Sequence, residues 1–340
     1  MNLQILWITL IVILFAGFFV LEGFDYGVGI LSPFLGKSDS ERRLILNAIG
    51  PFWDGNEVWL IAAGGAIFAA FPDWYATMFS GFYLEMFLVL FALILRGASI
   101  EFRSLQDGKN WRKLWDTLFF VGSLLPGFLW GVIVANLLHG VPIDAKMNYA
   151  GTILTPFTPF AILCGLAVVV LFALHGAIFL SIRLAGGDLL KRAEMAAKRL
   201  WMPVVILFLA LIALGYSQTT VFHHVITDVK VMPFGYLLLA VLISIPFLLR
   251  RGHNGWAFAM TSLTVVLSAI IIGLGGFPNI MVSTLNPAWN LTVQNASSSP
   301  YTLTVMSWIG LTIVPIVLIY QGWNYYVFRQ RLKPNHAGHY

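Results

Sequence analysis

The sequence predicts an all-α, polytopic membrane protein, and three observations carry that prediction. Of 340 residues, 59% are hydrophobic and 10% charged, with a mean hydropathy of +0.84; a soluble globular chain carries about 25% charged residues. Nine apolar runs are long enough to cross a bilayer, and the basic residues gather in alternate connections between them. A water-soluble fold of this composition would have to expose large apolar surface, so the soluble classes are excluded. A single cysteine, Cys164, lies inside an apolar run and excludes a disulfide scaffold. The hydrophobicity excludes disorder. The net charge of +5 belongs to loops of one parity, so it marks no nucleic-acid partner.

A crossing needs about 20 apolar residues. The runs that meet this are 3–34, 51–71, 75–95, 115–138, 157–182, 202–222, 233–249, 256–277 and 303–328. The first is long for one crossing, and its polar, glycine-rich second half, Glu22 to Gly29, is expected to tilt, kink or be only partly embedded. Residues 1–340 form one integral membrane domain, with polar motifs confined to 3–138 and a second set of helices over 157–328. A long polar connection, 278–302, precedes the last span.

Charge asymmetry orients the chain. Connections of one parity, with the C-terminal tail, hold 18 of the 20 Lys and Arg residues; the other parity holds only Lys146 and Lys230. The positive-inside rule therefore predicts an outside N-terminus and a cytoplasmic C-terminus. No charged segment precedes the first apolar run, so a cleaved signal peptide is not expected.

Ionisable groups at bilayer depth cost roughly 2.5–3.5 kcal/mol each on insertion scales. Of the 15 acids, Glu22, Asp25, Asp54, Glu57 and Glu85 fall inside expected spans, all in the first three. Glu22 and Asp25 are three residues apart and share a helix face, as do Asp54 and Glu57. The predicted topology puts both pairs near the cytoplasmic face, at the depth where Arg96 ends the third span and offers a counter-ion. Asp54 and Glu57 also suit a plain helix start after Pro51, where acids complement the macrodipole. Gly23, Gly27 and Gly29 surround the first pair, and Gly23-x-x-x-Gly27 suits close helix contact that buries the acids against protein rather than lipid. Glu85 is expected alone in mid-span.

Of seven histidines, only His175 lies well inside a span; His336 and His339 are in the tail. Axial haem ligation needs residues facing each other from different helices, and no such pair is legible. No HExxH or Cys/His cluster suggests another metal site. The sequence therefore assigns this chain no catalytic, cofactor or metal ligands of its own.

The run Gly23-Phe-Asp-Tyr-Gly-Val-Gly29 is followed by Phe34-Leu-Gly36, Glu41-Arg-Arg43, Pro51-Phe-Trp-Asp-Gly-Asn-Glu-Val-Trp59, Ala63-Gly-Gly65, Ala69-Ala70 and Phe79-Ser-Gly-Phe-Tyr83. Arg96, Phe102-Arg103 and the C-terminal Val314-Pro315 and Tyr320 complete the series. This pattern resembles subunit II of the cytochrome bd-type quinol oxidases, over essentially the whole chain. The resemblance implies two four-helix bundles plus one peripheral helix, in agreement with nine spans. It also implies a respiratory-chain complex in the bacterial cytoplasmic (inner) membrane that oxidises quinol and reduces O2 to water. In that family subunit I carries two haems b, haem d and the quinol-oxidising loop. Subunit II is haem-free, supports subunit I and contributes a proton route from the cytoplasm. A small single-helix third subunit and membrane lipids are the other partners the resemblance allows.

Matched position by position, Asp25 and Asp54 are the acids of the family's motifs, and Trp53 and Arg96 also match. Glu57 stands where the family can have a neutral amide. The resemblance assigns no role to Glu85 or His175. The expected proton path therefore comprises Asp25, Asp54, Glu57, Glu22 and Arg96, with Trp53, Gly23, Gly27 and Gly29 packed around it. The main alternative is a secondary transporter or ion channel using intramembrane carboxylates, although transporters built on repeats break helices in both halves and these acids occur in one. A structural scaffold, with the acids as helix-end and packing residues, is the second alternative.

Overall fold

The computed structural model describes residues 2–333, so His336 and His339 lie outside the described residues. The chain folds into α1 (Leu3–Leu35), α2 (Asp39–Ile49), α3 (Trp53–Ala70), α4 (Pro72–Gly81), α5 (Tyr83–Phe102), α6 (Lys109–His139), α7 (Pro159–Arg183), α8 (Gly187–Gln218), α9 (Thr220–Thr227), α10 (Met232–Arg250) and α11 (Asn254–Gly276). A two-stranded ribbon, β1 (Asn279–Met281) and β2 (Leu291–Thr292), then precedes α12 (Pro300–Val327).

Among the described residues, eight helices are long and apolar enough to cross a membrane: α1, α5, α6, α7, α8, α10, α11 and α12. The expected span 51–71 is α3, an 18-residue helix whose first turns carry Asp54, Asn56 and Glu57 and so dilute its apolarity. The expected span 75–95 is interrupted. Pro72 opens α4, and the chain leaves helical geometry at Phe82 before α5 begins. Glu85 therefore lies in the first turn of α5, not in the middle of a span. Its Oε1 is buried with no hydrogen-bond partner.

The first helix also differs from expectation. Where a polar, glycine-rich stretch suggested a kink, Glu22 to Ser32 is continuous helix, buried within the protein at every position. The reason is packing: α1 runs through the middle of the molecule against α3, α6, α7 and α11. A methyl group at Gly27 would overlap the Phe172 carbonyl and crowd the Gly176 backbone, and one at Gly176 would strike Gly27 in return. The two glycines thus let α1 and α7 cross at backbone contact. Gly23 lies against the Phe172 ring and Gly29 against Ser123 of α6.

Two helices occupy sequence expected as loop. In α2, Ser38 and Glu41 form a reciprocal capping box, which starts the helix without apolar burial. In α8, the helix begins at Gly187, so Lys191, Arg192, Lys198 and Arg199 lie on its polar first half. At the opposite end of the molecule, the 140–158 and 278–299 segments interlock: Val141 N–H donates to Val282 O (2.9 Å) and Ser283 Oγ to Ile143 O (2.7 Å). The β1–β2 pair is antiparallel, with Asn279 opposite Thr292. Along α12, side chains such as Trp308 (76% exposed) and Ile319 (73%) face outward, a surface fit for lipid or a partner helix.

Candidate functional site

Four helices build one buried polar network. Glu22, Asp25 and Tyr26 share a face of α1, at spacings of three and four. Arg96 comes from α5, Asn56 and Glu57 from the start of α3, and Gln321 and Tyr325 from α12. Glu22, Asp25, Tyr26, Asn56 and Arg96 are all fully buried.

Arg96 is the electrostatic centre. Its Nη1 and Nη2 donate to Glu22 Oε2 and Oε1 at 2.5 and 3.0 Å, the planar fork that suits a carboxylate. Nη2 also lies 3.5 Å from Glu57 Oε1, an ion pair without hydrogen-bond geometry. The guanidinium sits 4.9 Å from the centre of the Tyr26 ring. Arg96 thus joins one member of each expected acid pair rather than serving one pair. Its position follows from close helix packing, since Gly122 of α6 abuts the Arg96 and Ala92 backbone.

Asp25 belongs to a second, amide-centred arm. Its Oδ2 accepts from Asn56 Nδ2 at 2.7 Å. Asn56 Oδ1 accepts from Gln321 Nε2 at 3.0 Å and from Tyr325 O–H at 2.9 Å. Both acceptor positions of the amide oxygen are filled, which fixes the orientation of the side chain. The Tyr325 ring stacks on Phe52 at 4.4 Å, and Arg183 lies over Phe52 at 5.3 Å. Asn324 donates to Pro51 O at 3.0 Å and ties α12 to the entry of α3. Asp25 Oδ1, Arg96 Nε and the Tyr26 hydroxyl are buried without a hydrogen-bond partner in the chain.

The expected site residues divide. Glu22, Asp25, Glu57 and Arg96 are brought together. Asp54 is on α3 but exposed, and among the described residues its side chain makes no hydrogen bond or ion pair. Trp53 is half-buried with its ring against Gly97. Sequence reasoning missed Asn56, Tyr26, Gln321 and Tyr325. One signal was available: Gln321, Asn324 and Tyr325 stand at helical spacing in an otherwise apolar span.

A separate ionic cluster fastens α2 to the helix ends. Asp39 accepts from Arg103 (2.9 Å), Arg112 (3.2 Å) and Arg43 (3.0 Å); Asp116 accepts from Arg103 (2.5 Å) and Arg42 (2.7 Å). Burial alone would raise the Asp39 carboxyl, but the hydrogen bond from Arg103 and the charges of Arg103, Arg112 and Arg43 hold it below its usual value.

The pattern of acids, glycines and aromatic residues over these helices is matched by a family model. The model of cytochrome bd terminal oxidase subunit II covers residues 3–328. This chain belongs to that family. It is 44% identical to cytochrome bd ubiquinol oxidase subunit 2 of Bacillus subtilis over 332 residues, covering 98% of this chain and 97% of the relative. It is 35% identical to cytochrome bd-I ubiquinol oxidase subunit 2 of Escherichia coli K12 over 354 residues, covering 95% and 93%. The fold is shared with a chain of the bd oxidase from Geobacillus thermodenitrificans: TM-score 0.78 at 17% identity, covering 96% of this chain and 99% of that one.

Membership in the subunit II family implies a membrane-bound complex with a subunit I and with haem. His175, the histidine expected well inside a span, is not arranged as an axial ligand. His175 is buried with Nδ1 2.7 Å from Thr261 Oγ1 and Nε2 3.1 Å from Val20 O, its ring stacked on Phe258 at 4.4 Å. Both ring nitrogens are engaged, so His175 is a satisfied packing residue. His224 Nδ1 is 3.0 Å from Gly275 O, and His223 Nδ1 is 3.2 Å from the Thr227 hydroxyl. Among the described residues no cluster of three His, Cys, Asp or Glu side chains is placed to hold a metal ion.

Proposed function

We propose that this chain is the haem-free subunit of a quinol:O2 oxidoreductase and that its buried network carries protons from the cytoplasm toward the oxygen-reducing site. Haem and quinol-oxidation chemistry, with two haems b and haem d, belong to the partner subunit I. Quinol protons leave on the outer side while the protons consumed in forming water enter from the cytoplasm, so charge is separated without a pump. The N-terminus is outside, the C-terminus is cytoplasmic, and a small single-helix third subunit is compatible with the assembly. The 3–138 and 157–328 segments form the two bundles and the last helix, giving nine spans with α3 as the short one.

One observation supports the proton role above the rest: Glu22 and Glu57 lie on one guanidinium, and the buried Asp25 stands one turn from Glu22 on the same face of α1. A single positive charge balances one of three acids, and uncompensated buried charge is costly. Protons taken up among the acids offset the excess negative charge, and groups that take up protons at this depth are what a relay requires. Asp54, exposed one turn before Glu57, supplies the entry; Glu57, Glu22 and Asp25 form the interior; Arg96 sets the charge. Asn56 orients Asp25 and links it to Tyr325. Family membership favours this reading over a transporter or channel.

The test is made in the two-subunit complex. Asp54→Asn and Asp25→Asn keep side-chain volume and remove the titrating proton. Quinol-driven O2 consumption is expected to fall roughly tenfold or more, the scale of lost acid–base function, with haem content unchanged. The double variant adds little if both residues serve one path. Full turnover in both single variants, with intact haem spectra, rejects the relay and leaves the scaffold.

A further inference from the structure

Away from the buried network, an open groove of about 410 Å³ runs between the end of α1 and the first half of α8. Its α8 side is one helix face. Arg192, Met195, Ala196, Arg199 and Leu200 stand at offsets of three, four, seven and eight, the spacing of a single stripe. Its α1 side is made by Leu31, Phe34 and Leu35, again at three and four, followed by Lys37 just past the helix end. The groove therefore has a cationic rim and an apolar floor. Phe34 is 61% exposed and Met195 49% exposed, so the floor is open to whatever surrounds the protein.

The charges of the rim are not balanced within the chain. Arg192 is fixed in place by donating to Leu35 O (2.9 Å) and Glu41 Oε1 (2.5 Å). Glu41 is fully used: its other oxygen accepts from the Lys37 and Ser38 backbone N–H groups at 2.8 and 3.3 Å. Among the described residues, the side chains of Lys37 and Arg199 make no hydrogen bond or ion pair. Of the acids nearby on α8, Asp188 pairs with Lys191 (3.2 Å), and Glu194, which does not line the groove, accepts from the neutral Asn254 amide (3.2 Å). Of the three cations that line the groove, one is paired with Glu41, and among the described residues Lys37 and Arg199 present their charges without an ion-pair partner beside exposed apolar surface.

We propose that this groove binds an anionic phospholipid, its phosphate held by Lys37, Arg192 and Arg199 and its acyl chain laid over Leu31, Phe34 and Leu200. The floor argues for a lipid rather than a free phosphate, because a soluble anion would leave those apolar side chains uncovered. The excess charge argues for an anionic headgroup, because a choline cation would meet the two unpaired charges unfavourably. Basic pockets between spanning helices at the headgroup level are suited to such lipids on the same electrostatic ground.

The experiment uses the purified two-subunit complex in phosphatidylcholine nanodiscs doped with a phosphatidylglycerol probe bearing a photoreactive diazirine in its acyl chain. Cross-linked peptides are mapped by mass spectrometry. Labelling is expected within residues 31–35 and 195–200, and little with the same probe carrying phosphocholine. Each juxtamembrane charge contributes about 1 kcal/mol, roughly fivefold in affinity, so Lys37→Gln with Arg199→Gln should weaken labelling by about thirtyfold. Haem content and subunit stoichiometry report that the variant is assembled; if it fails to assemble, competition on the wild-type complex decides, where unlabelled phosphatidylglycerol should displace the probe and glycerol 3-phosphate should not. Equal labelling by the phosphocholine probe, displacement by glycerol 3-phosphate, undiminished labelling in the assembled double variant, or absence of labelling because a protein segment covers the groove would each overturn the proposal.

Discussion

Arg96 and Glu22 form a two-pronged ion pair between α5 and α1, at 2.5 and 3.0 Å, with both side chains removed from solvent. Removing one partner of such a pair leaves an uncompensated charge and costs about 3–5 kcal/mol, whereas replacing both by apolar residues is often tolerated. Arg96→Leu should therefore sharply reduce recovery and thermal stability of the complex, and Arg96→Leu with Glu22→Leu should recover part of the loss. Arg96→Lys should behave as an intermediate, since an ammonium cannot make the fork. Melting curves of the purified complex, followed by haem absorbance, provide the measurement. A single Arg96→Leu variant that melts like wild type would contradict the assigned role.

Much of this site was legible because charge inside an apolar run is conspicuous: Glu22, Asp25, Glu57 and Arg96 stand out for their cost. Asn56 lies in the same motif but is neutral, so nothing in its residue type announced that it bridges Asp25 to Tyr325. Gln321 and Tyr325 reach the site from more than 260 residues away, and only tertiary packing brings them there. Gly27 was legible from its spacing to Gly23, while its counterpart Gly176 was not, because a crossing needs both helices in place. Hydropathy ran unbroken through Phe82, which hid the break between α4 and α5 and misplaced Glu85. The charged first half of α8 hid the helix in the opposite way, since charge in a connection reads as loop.

The Asp39 cluster predicts an acid-sensitive attachment of α2. The carboxyl lies below its ordinary value of 3.8, because the Arg103 hydrogen bond and the three arginine charges outweigh burial. A carboxyl lowered by folding contributes stability that is complete above its unfolded value and lost as pH falls through its folded value. Proteolysis within 36–52 should therefore be slow from pH 7 down to about 4 and accelerate below that. The side chain is 39% exposed, so the contribution is of surface size, roughly 0.2–1 kcal/mol, and should shrink at high salt. Asp39→Asn should flatten the pH response; an unchanged response would assign the effect to another group.

The distribution of Lys and Arg predicts that Asn295 is outside and Arg331 cytoplasmic. Both positions are exposed, and the native Cys164 is buried, so single cysteines introduced at either site give a clean signal. A membrane-impermeant maleimide applied to intact cells should label Asn295→Cys and leave Arg331→Cys unlabelled until the membrane is opened. The reverse pattern would invert the topology and remove the cytoplasmic entry on which the proton path depends.

Asn56 offers the sharpest separation between packing and proton handling. Its amide nitrogen donates to Asp25 at 2.7 Å while its oxygen accepts from Tyr325 and Gln321. In Asn56→Leu the volume is nearly kept, but Asp25 loses its donor and two groups on α12 lose their acceptor. Unsatisfied buried groups cost about 1–3 kcal/mol each, so this variant should lose stability as well as turnover, and it cannot discriminate alone. Asn56→Asp keeps the shape and the acceptor for Tyr325 and Gln321. What it removes is the donor toward Asp25, placing a second carboxyl where the amide stood. If the network only packs, α12 remains docked and O2 consumption stays near wild type. If Asp25 exchanges protons, the new carboxyl competes for them, and the pH dependence of O2 consumption should shift while the haem spectrum changes little; the lost donor toward Asp25 should lower the melting temperature by the equivalent of about 1–3 kcal/mol. A pH profile superimposable on that of wild type, in an assembled complex, would reduce the Asn56–Asp25 contact to structural support.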